Sequence, residues 1–234
     1  MSAITSRPRS QTAPSSPGGA GPVLGDQRIV IRGVGRHVYE CLSEAIGEGQ
    51  HIRLAYDGRD LELMTTGHIH ERYKELLGQI VSAVTLALDI DRENVGETTW
   101  DTAESERGLQ ADLSYYFDAE RLRVARDAFA RKSNDPADFP NPDLAIEIDL
   151  SPPKVDRPSI YAALGVVEVW QFDGEVLVIE QLQADGSYAS VESSRFLPIR
   201  AEDVRRWLVV EDSTRRLAWE RRLGEWARGL GGRA

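Results

Sequence analysis

The chain has 234 residues and a formal net charge of -10, from 38 acidic residues against 28 lysines and arginines. That length allows one domain with a sizeable core, and the acidity argues against a protein that coats nucleic acid by bulk attraction, although a small basic groove stays compatible with it. Cys41 is the single cysteine, which excludes an internal disulfide and fits a reducing compartment.

Residues 1–27 are rich in Ser, Pro, Gly and Ala and carry almost no large apolar side chain. Such a segment cannot bury enough surface to offset chain entropy, so a disordered tail is expected. It lacks the apolar core of a secretory signal, and no later stretch is long and apolar enough to span a bilayer. A soluble, cytoplasmic protein without a membrane partner is expected, with residues 28–234 forming a single domain. Residues 28–31 read as a strand, and Val38, Cys41, Leu42 and Ile46 then recur at helical spacing.

Residues 52–56 and 61–64 flank Asp57-Gly58, a strong hairpin signal. Leu61 and Leu63 share one face of the second strand, so Glu62 points the other way, most simply to solvent. From His70 to Leu88 the apolar positions fall on one stripe, which predicts the main core helix. At about 100° per residue, His70 lies close to that stripe and Glu71 well away from it. His70 is therefore read either as a satisfied core residue or as a member of a site. Residues 95–100 are a strand candidate, and residues 108–117 form a β-rich run that carries Asp112 near its start. An Asp there usually caps a turn. Residues 119–139 predict a short helix and an exposed loop.

The stretch from Asn141 to Gly174 organises the rest. Leu144, Ala145, Ile146, Ile148 and Leu150 make a short apolar run bounded by prolines, the signature of a buried strand. Glu147 and Asp149 interrupt it two residues apart, so both point to one face. Burying two acids together costs roughly several kcal/mol per unpaired charge unless a cation or proton compensates. With Asp112 on a preceding strand, the pair suggests a metal site. A polar loop follows, with Lys154, Asp156 and Arg157, then a short helix opened by Pro158 and closed by Gly165, then an alternating strand over residues 166–172. Strand, helix and strand make a crossover unit, which places the acids near the carboxyl end of a parallel pair, where open sheets bind ligands. Beyond it, Asp185-Gly186 marks a terminal hairpin, and two helices are expected over residues 201–208 and 215–230. The last is read as an ion-paired scaffold.

These residues carry a resemblance. Asp112, then Glu147 on an apolar strand, then a nearby cation, resembles the Asp…(Glu/Asp)-x-Lys constellation of the PD-(D/E)xK nuclease superfamily. More specifically, Leu61-Glu62-Leu63-Met64 followed by His70-Glu71, then Ala111-Asp112, then residues 143–149 through Trp170, is similar to the Uma-two family of restriction-endonuclease-like proteins. The resemblance runs from about Arg28 to the C-terminal helices. It implies an α/β fold with a restriction-endonuclease-like mixed β-sheet core flanked by helices, with extra hairpins and C-terminal helices. It also implies a Mg²⁺ or Mn²⁺ site held by Asp112 and Glu147 for hydrolysis of DNA, with Asp112, Glu147, Asp149, Arg157 and His70 as catalytic candidates and a homodimer left open.

The chain departs from the superfamily where Glu-x-Lys expects lysine and Asp149 stands instead. The cation then comes from Lys154 or Arg157. Arg157 precedes Tyr161 by one helical turn, as a basic residue does in the family pattern, and is preferred. Arginine clamps phosphate but is a poor general base. Asp149 alternatively caps the loop that follows it. Three classes of function remain open: a metal-dependent endonuclease, a weak or inactive nuclease-fold module, and an acid–base enzyme such as a glycosidase, which is the least favoured because Glu147 and Asp149 share one face.

Overall fold

A computed structural model of the protein describes residues 26–47, 51–96, 98–102, 106–209 and 215–232. Of the tail expected over residues 1–27, positions 1–25 lie outside the described residues. Asp26 is buried and Gln27 opens the first strand, so these two residues belong to the fold rather than to a tail.

The described residues form two sheets. The first has the order β1(Gln27–Ile31), β3(Leu61–Thr65), β2(Ile52–Tyr56), β6(Arg107–Gln110), β5(Thr99–Thr102), all antiparallel. Asp57-Gly58 sits in the β2–β3 turn, where Gly58 takes a φ of 96° that disfavours any side chain. Alternation gives this sheet two faces. Leu54, Tyr56 and Leu61 point to one side and pack on α1(Arg36–Ile46), where Tyr39 stacks on Tyr56. On the other side lie Arg28, Glu62 and Arg53, because the register sets Arg28 and Arg53 opposite Met64 on the same face as Glu62.

The second sheet has the order β11(Tyr188–Val191), β10(Leu177–Leu182), β9(Glu168–Phe172), β8(Leu144–Ile148), β7(Leu113–Tyr116), β4(Glu93–Asn94). It is mixed: β8 and β9 are parallel, joined through α4(Arg157–Leu164), and the other pairs are antiparallel. The mixed sheet flanked by helices that the resemblance implies is therefore present, and so are the crossover and the Asp185-Gly186 hairpin. One expectation is refined. The run over residues 108–117 is not one strand: β6 and β7 belong to different sheets, and Ala111-Asp112 is the corner between them.

Helix α2(His68–Leu88) buries Leu76, Leu77, Ile80, Val81 and Val84 against Leu144, Ile146 and Ile148, with α5(Ala201–Val209) and α6(Arg216–Leu230) completing that layer. The opposite side of β8 carries Ala145 and Glu147. Ala145 joins Ala55 and Leu109 of the first sheet and Ile160 and Tyr161 of α4 in a second core. Odd and even positions of β8 thus serve two cores, which is why its apolar run is continuous. Helix α3(Ala119–Ala130) is capped by Asp118, which accepts from the amides of Glu120 and Arg121. No helix among the described residues is long and apolar enough to cross a membrane.

Candidate functional site

The charged face of the first sheet and the Glu147 face of β8 look at one another, and the charges between them form one buried network. Asp112, at the corner, is fully buried. Its Oδ2 accepts from the amide of Ile148 at 2.8 Å, which ties it to the residue after Glu147. Its Oδ1 lies 2.9 Å from His70 Nε2 and 3.5 Å from Arg53 Nε. The other imidazole nitrogen, Nδ1, is 3.2 Å from Asp26 Oδ1, a charge contact without the alignment of a hydrogen bond. Burial works against a charged imidazole, but Asp112 and Asp26 more than offset it and hold the His70 pKa at about 9. The Asp112 carboxyl is in turn kept below its ordinary range: burial opposes its charge, and the contacts with His70, the Ile148 amide and Arg53 outweigh that. Of the two readings of His70, the geometry gives a buried residue that also belongs to the cluster.

Glu147 is also buried. Its Oε1 accepts from the Tyr161 hydroxyl, and its Oε2 lies 2.9 Å from Arg157 Nη1, again at ion-pair range but outside hydrogen-bond alignment. Burial raises its pKa to about 8; Arg157 pulls it down, and the charges of Asp112 and Asp149 push it up. Arg157 is itself buried, with Nη1 also 3.1 Å from Asp149 Oδ1 and Nη2 3.1 Å from Glu62 Oε1. Three surrounding carboxylates hold its guanidinium charged in spite of burial.

Helix α4 sets this arrangement. Asp156 caps it by accepting from the Ser159 amide, Pro158 occupies its first turn, and Arg157 and Tyr161 stand one turn apart on the side that faces Glu147. Lys154 presents an exposed side chain and contributes only its backbone amide, which donates to Glu62 Oε2 at 2.5 Å. Asp149 does not cap the loop. It accepts from both Arg157 and Arg28.

The sequence misplaced one of these residues. Glu62 faces away from Leu61 and Leu63 as expected, yet that face is covered by the loop and helix after β8 rather than by water, and Glu62 is 1% exposed. No motif in the sequence marks Asp26, Arg28 or Arg53 as site residues. The available signal was the coincidence of a charge on the same face of three short strands, at Arg28, Arg53 and Glu62.

Mg²⁺ takes oxygen ligands and usually keeps several waters, binding through one or two carboxylates rather than a dedicated protein cage. The donor set here fits that demand. Asp112 lies close enough for its charge to raise the Glu147 pKa, and Glu147 Oε2 is a buried oxygen without a hydrogen bond. Among the described residues no group of three or more His, Cys, Asp or Glu side chains is arranged to hold an ion, so the protein's share would be the two carboxylates.

Over residues 38–210 the sequence matches Uma2, described as "Putative restriction endonuclease". The chain belongs to the Uma2 family. The match includes Arg53, Glu62, His70, Asp112, Glu147, Asp149 and Arg157, and it leaves out β1 with Asp26 and Arg28. A crystal structure of "a putative nuclease belonging to DUF820" from Anabaena variabilis is similar at a TM-score of 0.49 and 15% identity, covering 75% of this chain and 99% of that one. No curated protein matches the chain.

Proposed function

We propose that this Uma2 protein is a metal-dependent endonuclease that hydrolyses phosphodiester bonds of DNA, with its reaction centre at Asp112, Glu147 and Arg157. Family membership supports the class of reaction. The observation that carries the centre is the pairing of two adjacent buried carboxylates, one with an unsatisfied oxygen, at the carboxyl end of a strand with a guanidinium 2.9 Å away.

Asp112 and Glu147 would hold Mg²⁺ or Mn²⁺, which when bound lowers the pKa of a water ligand and offsets charge on the leaving oxygen. The protein's own groups do the rest. Tyr161 donates to Glu147 Oε1 and leaves Oε2 as the oxygen still to be satisfied. Arg157 brings a permanent charge to the same point and can share it with a phosphate oxygen through charge-assisted hydrogen bonds. His70, held between Asp26 and Asp112, fixes the orientation of the Asp112 carboxylate.

A second reading, a weak or inactive nuclease-fold module, draws on a different observation. The groove of about 480 Å³ that reaches the network at Asp149 is also lined by Asp173 and Glu175 and by no basic side chain, a poor approach for a phosphate backbone. Plasmid nicking in Mn²⁺ or Mg²⁺, run beside calorimetric Mn²⁺ titration, separates the two. The endonuclease reading expects nicking that EDTA and Glu147→Gln both abolish. Nicking that persists in EDTA, or none at any concentration of either metal, overturns it.

A further inference from the structure

Arg28 on β1 and Arg157 on α4 lie far apart in the sequence and grip the same two oxygens. Arg28 reaches Glu62 Oε1 through Nη1 and Asp149 Oδ1 through Nη2, each at 2.5 Å. Arg157 reaches the same Glu62 Oε1 through Nη2 and the same Asp149 Oδ1 through Nη1, each at 3.1 Å. The result is an alternating ring of two guanidinium groups and two carboxylates. Each positive group is kept off the other by a negative one, so the ring holds together in a place where four separate charges would not.

We propose that Arg28 and Glu62 are positioning residues that aim Arg157 at Glu147, and that the N-terminal strand thereby completes the reaction centre from outside the family-matched region. The inference rests on the nuclease reading of that centre. Arg28 cannot itself meet a substrate. Its side chain is 2% exposed and each of its three nitrogens is engaged, Nε on Ser151 Oγ at 3.0 Å and the two terminal nitrogens on Glu62 and Asp149.

Its effect passes through Arg157. Arg157 Nη1 is divided between Glu147 Oε2 at 2.9 Å and Asp149 Oδ1 at 3.1 Å, and Arg157 Nε is buried without a hydrogen bond. No hydrogen bond from Nε therefore orients the guanidinium, and the carboxylates set which acceptor its terminal nitrogens favour. With Arg28 in place, Asp149 already has a closer cation and Arg157 is left free to serve Glu147. Without Arg28, Asp149 and Glu62 would each depend on Arg157 and draw it from Glu147. Glu62 adds the second constraint, because its Oε2 accepts from the Lys154 amide and so fixes the loop that leads into α4.

The test follows the Arg157 Nε–H resonance in ¹⁵N-labelled full-length protein, assigned by its loss in Arg157→Lys. Wild type should give a sharp, slowly exchanging signal. Arg28→Ala and Glu62→Gln should shift or broaden it, and Arg28→Lys, which restores a cation, should recover it in part. In Mn²⁺-supported plasmid nicking, Arg28→Ala should lose roughly 10- to 100-fold, the worth of one charge-assisted hydrogen bond, with partial rescue by Arg28→Lys. A folded Arg28→Ala protein with an unchanged Arg157 signal, or a Glu62→Gln protein with one if Arg28→Ala does not fold, overturns the proposal and makes Arg28 a structural brace. Wild-type protein that fails to nick at all overturns the nuclease reading instead, and the resonance still decides the positioning role.

Discussion

His70 and Asp112, 42 positions apart in sequence, meet at 2.9 Å with neither side chain exposed to solvent. Burial favours a neutral imidazole, but Asp112 on one side and, after it, Asp26 on the other outweigh burial, and His70 carries its proton well past neutrality. The acid beside it is stabilised as an anion in return. The pair is an ion pair at neutral pH, and its imidazole gives up the proton only at about pH 9, well above the ordinary histidine value.

Stability should accordingly fall as the solution turns alkaline. The His70 pKa rises from 6.5 to about 9 on folding, so its contribution is complete below about pH 6.5 and is lost as pH climbs through 9. Glu147 has the same sign: its pKa rises from 4.5 to about 8 because burial favours the neutral acid, and its contribution fades over that interval. Asp112 acts oppositely, its contribution being lost as pH falls below the ordinary carboxylate range. Urea unfolding between pH 6.5 and 9 should show a declining midpoint. His70→Asn should be less stable throughout but flatter above pH 7, and an equally steep decline in that variant contradicts the assignment.

Glu62→Ala should be among the most damaging single changes in the fold. It removes one of the two acceptors that Arg28 and Arg157 share, leaving Asp149 alone between them, and frees the Lys154 amide. Breaking a buried pair in this way costs about 3–5 kcal/mol. Arg157→Ala should fall in the same range, because three carboxylates lose a counter-charge, whereas a residue held in place only to bind phosphate would be lost with little change in stability. Lys154→Ala should stay within about 0.5 kcal/mol, as its side chain is exposed. Equal midpoints for Glu62→Ala and Lys154→Ala in urea would contradict this order.

Much of the fold was legible because it follows from periodicity and punctuation. Asp57-Gly58 and Asp185-Gly186 mark their hairpins, the stripe from Tyr73 to Leu88 marks α2, and the proline-bounded run around Glu147 marks β8 and its crossover. The site was legible where its charges interrupt apolar runs, at Glu147 and Asp149, or match a family spacing, at Arg157. Alternation puts Glu62 on the correct face but not in its environment, since it says which residues share a side and nothing about what covers it. Only the arrival of the loop from β8, some 90 positions later, buries that side. Asp26 and Arg28 were hidden for a related reason. They border a low-complexity segment, and several of their partners lie more than 120 positions away, at Asp149, Leu150 and Ser151.

Divalent metal should stabilise the protein through Asp112 and Glu147. A ligand that binds only the folded state adds about 2.7 kcal/mol at a hundredfold excess over its dissociation constant. For a chain of this size that is a rise of about 5–11 °C in melting temperature. Glu147, the acid that burial and, after it, the neighbouring Asp112 and Asp149 charges hold toward its neutral form, would lose its proton to bind the cation, so the shift should grow with rising pH. Asp112→Asn and Glu147→Gln should each abolish the shift with Mn²⁺. A shift of the same size in both variants moves the ion elsewhere.

The N-terminal limit of the fold should be sharp at Asp26. Residues 1–25 are poor in large apolar side chains, so a chain starting at residue 26 should unfold cooperatively with the wild-type midpoint. Removing two residues more takes away a set of anchors. Asp26 Oδ2 accepts from the Leu150 amide at 3.1 Å, its backbone carbonyl accepts from Ser151 Oγ at 2.8 Å, and its Oδ1 stands 3.2 Å from His70 Nδ1. Each buried group left unpaired costs about 1–3 kcal/mol, and the three converge on the end of β8 where Asp149 meets Arg157. A chain starting at residue 28 keeps Arg28 and most of the β1 register yet should lose several kcal/mol, roughly the sum of those unpaired groups. Asp26→Asn should separate charge from geometry: it can preserve the hydrogen bonds to Leu150 and Ser151 while removing the anion beside His70. If the chains starting at residues 26 and 28 melt together, Asp26 is an ornament of the strand's end and the site begins at Arg28.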